Sequence, residues 1–180
     1  MVNVVNYNPT GEVKKMEILN LETDPQAENY VNISDRPDLS LYDQDFMLWI
    51  ENTIRLLKEQ SLTKLDLENL INEIEDMGRN QKHALESNLT ILLMHLLKWQ
   101  YQSVKRSNNW KFTIREHRQR LQKSFRDSPS LKVYCEQVFH DCYQDARNLA
   151  SDETGIEITL FPMESPYGIT ETLNQDFLPN

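Results

Sequence analysis

Apolar residues recur at helical spacing through most of the chain after residue 40, and the longest such run goes from Leu65 to Trp99. Leu67, Leu70, Ile74, Met77, Ala84, Leu85, Leu92, Leu96 and Trp99 fall on one side of a helical wheel. Asp76, Arg79, Lys82, His83 and Glu86 fall on the other. This pattern predicts an amphipathic helix with its stripe facing a core. At about 1.5 Å per residue it makes a rod of roughly 50 Å, so the other segments must pack along it. Gly78 lies inside the run, where glycine costs about 1 kcal/mol relative to alanine. The stripe keeps phase across Gly78, which favours a continuous helix over a kink or a helix end there with Asn80 capping a restart. Thr63 is the expected N-cap, with Asp66 at N3.

Three more segments carry the same period. Leu41 to Gln60 is expected to follow an N-cap at Ser40, with Asp43 completing a capping box. Its inner face would be Tyr42, Phe46, Trp49, Thr53, Leu56 and Leu57. After the polar connection 102–109, Asn109 is the expected cap of a helix from Trp110 to Phe125. That helix has Trp110, Ile114, Leu121 and Phe125 inside, His117 at the border and a basic outer side. Ser128 and Pro129 then read as N-cap and N1 of a fourth helix, which runs to about Ser151. Leu131, Cys135, Val138, Phe139, Cys142, Ala146 and Leu149 would be buried along it, and Gly155 follows its end.

The remaining segments are less regular. In the tail, Pro162, Pro166 and Pro179 exclude a long helix. Its Ile158, Leu160, Phe161, Tyr167, Leu173 and Phe177 are too apolar for a solvated end. The tail is expected to lie back across the bundle, with a short helical turn near Thr170 to Gln175. Residues 1–40 read as a weakly structured extension, a surface strap or a partner-binding arm. The expected fold is all-α: a single-domain antiparallel four-helix bundle over residues 41–180, with one long central helix and a wrapping C-terminal tail.

Composition narrows this reading. Four glycines and seven prolines in 180 residues leave little turn material for an all-β fold. An acidic formal charge of −9 argues for a cytoplasmic protein and against wholesale nucleic-acid binding. No apolar run is long enough for a membrane span, and the first residues lack the pattern of a signal peptide. Cys135 and Cys142 are seven apart on a predicted helix, about 10 Å along it, too far for a mutual disulfide. They read as buried small hydrophobes in a reducing compartment.

Several blocks in order resemble a known family. YDQDF at 42–46, LDLENLINEIEDMGR at 65–79, HALESNL at 83–89 and LLMHLLKWQYQ at 92–102 are followed by WKFTIREHR at 110–118 and RDSPSL at 126–131. Together with the closing segment 152–179 they resemble the bacterial domain of unknown function family 29, from about residue 41 onward. The resemblance implies a helical bundle of bacterial origin, including photosynthetic bacteria, and it implies no activity. Residues 1–40 fall outside it.

Three constellations carry candidate chemistry. Gln81, Asn88 and His95 are spaced by sevens and form a polar seam within the apolar sector. Buried polar groups need partners, since each orphan costs roughly 1–3 kcal/mol. Arg115, Glu116, His117 and Tyr143 are the candidates to supply them. The seam reads as a register-fixing network, as a pocket in which His95 is base or ligand, or as a stretch partly exposed at a kink. A catalytic or metal site from His95, Glu73 and Glu116 is a competing reading, that of a metal-assisted hydrolase. No Glu-x-x-His, Ser-His-Asp order or cysteine-nucleophile motif accompanies it, and glycine-rich phosphate loops are absent. No metal or other cofactor is therefore expected.

The third feature is charge segregation. Of 19 basic and 28 acidic residues, nine and one fall between Lys98 and Arg126, a net +8 against −17 elsewhere. The basic face is Lys111, Arg115, Arg118, Arg120, Lys123 and Arg126. It predicts an acidic protein partner or pairing within the chain or a homodimer; a third reading is nucleic acid, its phosphate backbone tracked by the basic helix with Trp110 and Phe112 nearby. A non-enzymatic interaction or adaptor protein is the expectation that follows.

Overall fold

The computed structural model describes residues 39–180, so the expectations for residues 1–38 lie outside the described residues. Two compact units divide between Gln60 and Ser61. Six α-helices and no strand occur among the described residues, and four of the helices are long. The all-α class and the single long central helix are as the periodicity required.

The first unit holds α1 (Leu41–Gln44) and α2 (Phe46–Lys58). One helix was expected here, and Asp45 divides it. Asp45 has extended backbone and accepts from Leu48 N at 2.9 Å, so it caps the second piece. Ser40 caps the first: its Oγ donates to Asp43 Oδ2 at 2.7 Å and accepts from Asp43 N at 3.3 Å. Tyr42, Phe46 and Trp49 make a ring cluster with centroids 5.0–5.6 Å apart. Trp49, Thr53 and Leu56 are buried, whereas Phe46 and Leu57 at the edges of that stripe are exposed.

In the second unit, α3 (Leu67–Tyr101) runs without interruption through Gly78. Its cap is Asp66, which accepts from Asn69 N, and not Thr63, which lies in a 3-10 turn at Leu62–Lys64. The helix α4 (Asn108–Asp127) starts from Ser107, which accepts from Trp110 N, two residues earlier than expected from Asn109. The helix α5 (Leu131–Thr154) begins after a turn in which Leu131 N bonds Ser128 O and Lys132 N bonds Pro129 O. Ser128 therefore ends α4 and does not cap α5.

Cross-helix bonds give the directions. Asn88 and Gln81 of α3 meet His117 and Ser128, so α4 runs antiparallel to α3. Glu86 and Lys98 of α3 meet Tyr134 and Glu153, so α5 returns parallel to it. The core gathers Leu85, Leu89, Leu92, Leu93, Leu96 and Leu97 of α3, Ile114, Leu121 and Phe125 of α4, and Cys135, Tyr143 and Ala146 of α5. Leu149 proves exposed, and Ala150 takes the inward place.

The tail lies back on this core. Phe161 and Tyr167 are buried, and the short helix α6 (Ile169–Leu173) supplies the expected turn. Leu160 and Ile158 point outward instead. The expected stripe of α3 is likewise buried only from Leu85 onward, while Leu67, Ile74 and Met77 are exposed. No helix among the described residues is long and apolar enough to cross a membrane.

Two glycines in helical surroundings call for opposite responses. A Cβ at Gly78 would meet nothing within 4 Å, and its backbone is helical. Gly155 has φ +71° at the end of α5. Gly78→Ala is expected to stabilise by about 0.5–1 kcal/mol, and Gly155→Ala to destabilise by about 1 kcal/mol. Urea unfolding of the two variants beside wild type checks both signs.

Candidate interaction surface

The basic residues of the Lys98–Arg126 stretch divide into an inward and an outward set, beginning with Arg118. Its spacing from Ile114, Leu121 and Phe125 is that of a core position, and its side chain is 1% exposed. The guanidinium donates to three tail carbonyls: Nε to Thr172 O at 2.8 Å, Nη2 to Phe177 O at 2.8 Å and Nη1 to Gln175 O at 3.4 Å. These carbonyls belong to the end of α6 and the turn after it, where a helix leaves its acceptors unpaired. Burial pulls the Arg118 pKa down to about 10, so the group stays charged at neutral pH. Arg118 therefore leaves the expected basic face and becomes a strut.

Other cations are also used internally. Lys98 is buried, pairs with Glu153 and sits 4.9 Å from the Trp110 ring centre. Arg106 donates to Trp99 O at 2.8 Å and stacks 5.1 Å from the Trp99 ring, with Lys111 at 5.3 Å from the same ring. Arg120 pairs with Glu116 at 2.6 Å, and Lys123 pairs with Asp127.

The outward face of α4 then consists of Phe112, Arg115, Gln119, Lys123 and Arg126, three or four residues apart and exposed. Phe112 is 64% exposed. Among the described residues Arg115 and Arg126 make no ion pair. Of the two aromatics that the sequence places beside the basic helix, Phe112 lies on this face, whereas Trp110 turns to Lys98.

The polar seam does not form one buried network. Gln81 is exposed and accepts from Ser128 Oγ at 3.2 Å. Asn88 is half-buried; its Nδ2 donates to Ala84 O at 2.5 Å and its Oδ1 accepts from His117 Nδ1 at 2.8 Å. His95 Nδ1 donates to Ile91 O of its own helix at 3.0 Å. Tyr143 turns to the tail and donates to Pro162 O at 2.7 Å. The bundle closes around α3 only beyond Gln81, so a seven-residue repeat passes from solvent to interior along its length.

Glu73, His95 and Glu116 are not brought together among the described residues. Glu73 and His95 share one straight helix and stand roughly 33 Å apart along it. Glu116 is engaged with Arg120. The described residues hold no group of three histidine, cysteine or acidic side chains placed to bind a metal ion. Cys135 and Cys142 are both buried, and burial pushes the Cys135 thiol up to about 12, which keeps it protonated and unreactive.

Two kinds of outcome follow. Arg118→Met leaves three carbonyls without their donor and is expected to cost about 2–4 kcal/mol in chemical unfolding, whereas Arg120→Met stays within about 0.5 kcal/mol. Burial also holds the pKa of His95 and His117 below the usual histidine value. The unfolded chain then takes up protons first as pH falls. Stability contributed by neutral His95 and His117 is full above about pH 6.5 and declines on acidification. Urea unfolding between pH 7.5 and 5.5 should show that slope, and His117→Gln should flatten it.

No curated protein and no solved structure matches the chain. Residues 41–178 match the family described as domain of unknown function DUF29. That span covers α1 to α6, including the strut residue Arg118 and the tail it holds, and the chain belongs to the DUF29 family.

Proposed function

We propose that this protein is a non-enzymatic interaction module that docks an acidic protein segment on the outward face of α4. The observation that carries the reading is the composition of that face. Arg115 and Arg126 stand exposed without an ion pair among the described residues, and the exposed Phe112 lies on the same stripe. Cations of this kind steer an acidic partner and set its register. An exposed aromatic supplies the apolar anchor that charge alone does not. Arg120 and Lys123, already paired with acids of their own helix, contribute less. A phosphate backbone would use the same cations, but the chain's −9 charge opposes its approach.

Replacing Phe112 with a photo-crosslinking residue in cells of the native host tests this. The expected adduct is an acidic protein, resistant to nuclease and weakened at least about tenfold by Arg115→Glu with Arg126→Glu. Circular dichroism of the variant should be unchanged. Adducts that nuclease destroys would replace the acidic protein with nucleic acid, and the absence of any adduct would reject this face.

A further inference from the structure

The outward face of α4 is not flat along its second half. Glu116, Gln119, Arg120, Gln122, Lys123 and Arg126 border an open hollow of about 470 Å³. All six side chains are polar, and three are cations. Gln119 and Gln122 make no hydrogen bond among the described residues, and Arg126 makes no ion pair there. The hollow is therefore rich in N–H donors: two guanidinium forks, one ammonium and two amides.

The acids beside it are already engaged. Arg120 pairs with Glu116 at 2.6 Å, and Lys123 pairs with Asp127 one turn further on. An incoming anion must compete with those two carboxylates. A carboxylate that displaces Glu116 or Asp127 exchanges one exposed ion pair for another of the same charge, which gains little. A phosphodiester group carries a single charge as well. A phosphate monoester differs. It carries about −1.5 to −2 charge at neutral pH and has three acceptor oxygens, so it engages two cations and an amide together. The forks of Arg120 and Arg126 match its oxygens in pairs.

We infer that this hollow receives the phosphoryl group of a phosphorylated serine or threonine in the docked segment. The inference rests on the docking reading of the α4 face and names the chemistry of the partner there. Glu116 and Asp127 then act as a filter, holding off singly charged anions and yielding to a dianion. Phe112 sets the spacing. From Phe112 to the middle of the hollow is about nine residues of helix, or roughly 13 Å. An extended segment covers that distance in about four residues. The partner therefore carries an apolar residue and a phosphorylated one about four positions apart.

Fluorescence anisotropy of labelled peptides on the full chain at pH 7.5 tests this. The probes are short Gly/Glu peptides with a central phosphoserine and one leucine four positions before or after it. Control peptides carry serine or glutamate in place of the phosphoserine. The phosphoserine peptide should bind at least about tenfold more tightly than the glutamate peptide. Lys123→Gln with Arg126→Gln should abolish that preference, with circular dichroism unchanged. Glu116→Gln with Asp127→Asn should strengthen the glutamate peptide about fivefold and narrow the preference. Equal binding of glutamate and phosphoserine peptides to the wild type overturns the inference and leaves an acid-binding face standing. No binding of any peptide also overturns it, and crosslinking at Phe112 then decides the docking reading by itself. A preference that survives Lys123→Gln with Arg126→Gln overturns it too, as does a single-stranded DNA oligonucleotide that binds more tightly than the phosphoserine peptide.

Discussion

One buried cation holds the end of the chain to its bundle. The tail after α5 carries Pro162, Pro166 and Pro179 and cannot pair its own carbonyls in a regular ladder. A carbonyl left without a donor in the interior would cost about as much as a lost hydrogen bond. Arg118 supplies donors to three of them from α4. The same solution recurs on α5. Arg147 reaches Phe161 O and Ile158 O at 3.1 and 2.9 Å, Tyr143 reaches Pro162 O, and Gln144 reaches Met163 O at 2.6 Å. Phe161 and Tyr167 can then enter the core because the backbone around them is satisfied. Burying a guanidinium is itself unfavourable, so the strut is specific to this tail geometry and gives no general surplus of stability.

That division of labour decides what the basic stretch offers to a partner. Lys98, Arg106 and Arg118 are spent on carbonyls, aromatic faces and Glu153, and Arg120 and Lys123 on neighbouring acids. What faces outward is narrower than a run of nine cations suggests. Its character comes as much from Phe112 as from Arg115 and Arg126.

The helices were legible because one period ran through them, and phase favoured continuity across Gly78 without deciding it. Caps were less legible. Asp45, Asp66 and Ser107 are as good acceptors as the residues expected in their place, and only the turn before each helix decides among them. Arg118 was legible in principle, since 114, 118, 121 and 125 share a face, but eight other basic residues nearby concealed it. Its partners could not be read, because the tail carbonyls lie more than fifty residues away in sequence. The burial of Gln81 was misjudged for a related reason: where α4 and α5 stop covering α3 is a property of their lengths. The distance between Glu73 and His95, by contrast, follows directly once the helix is continuous.

The most direct test of this account is amide hydrogen exchange of the wild-type chain at single-residue resolution. If Arg118 and its companions fasten the tail to the bundle, the amides of Phe161 and Thr172, which bond Ile158 O at 3.1 Å and Gly168 O at 2.9 Å, open only with the core. Their protection should then match that of Leu93 and Leu96 in α3. Fast exchange at Phe161 and Thr172 beside a protected α3 would show a tail that comes and goes from a bundle stable without it, and would contradict the role given to Arg118.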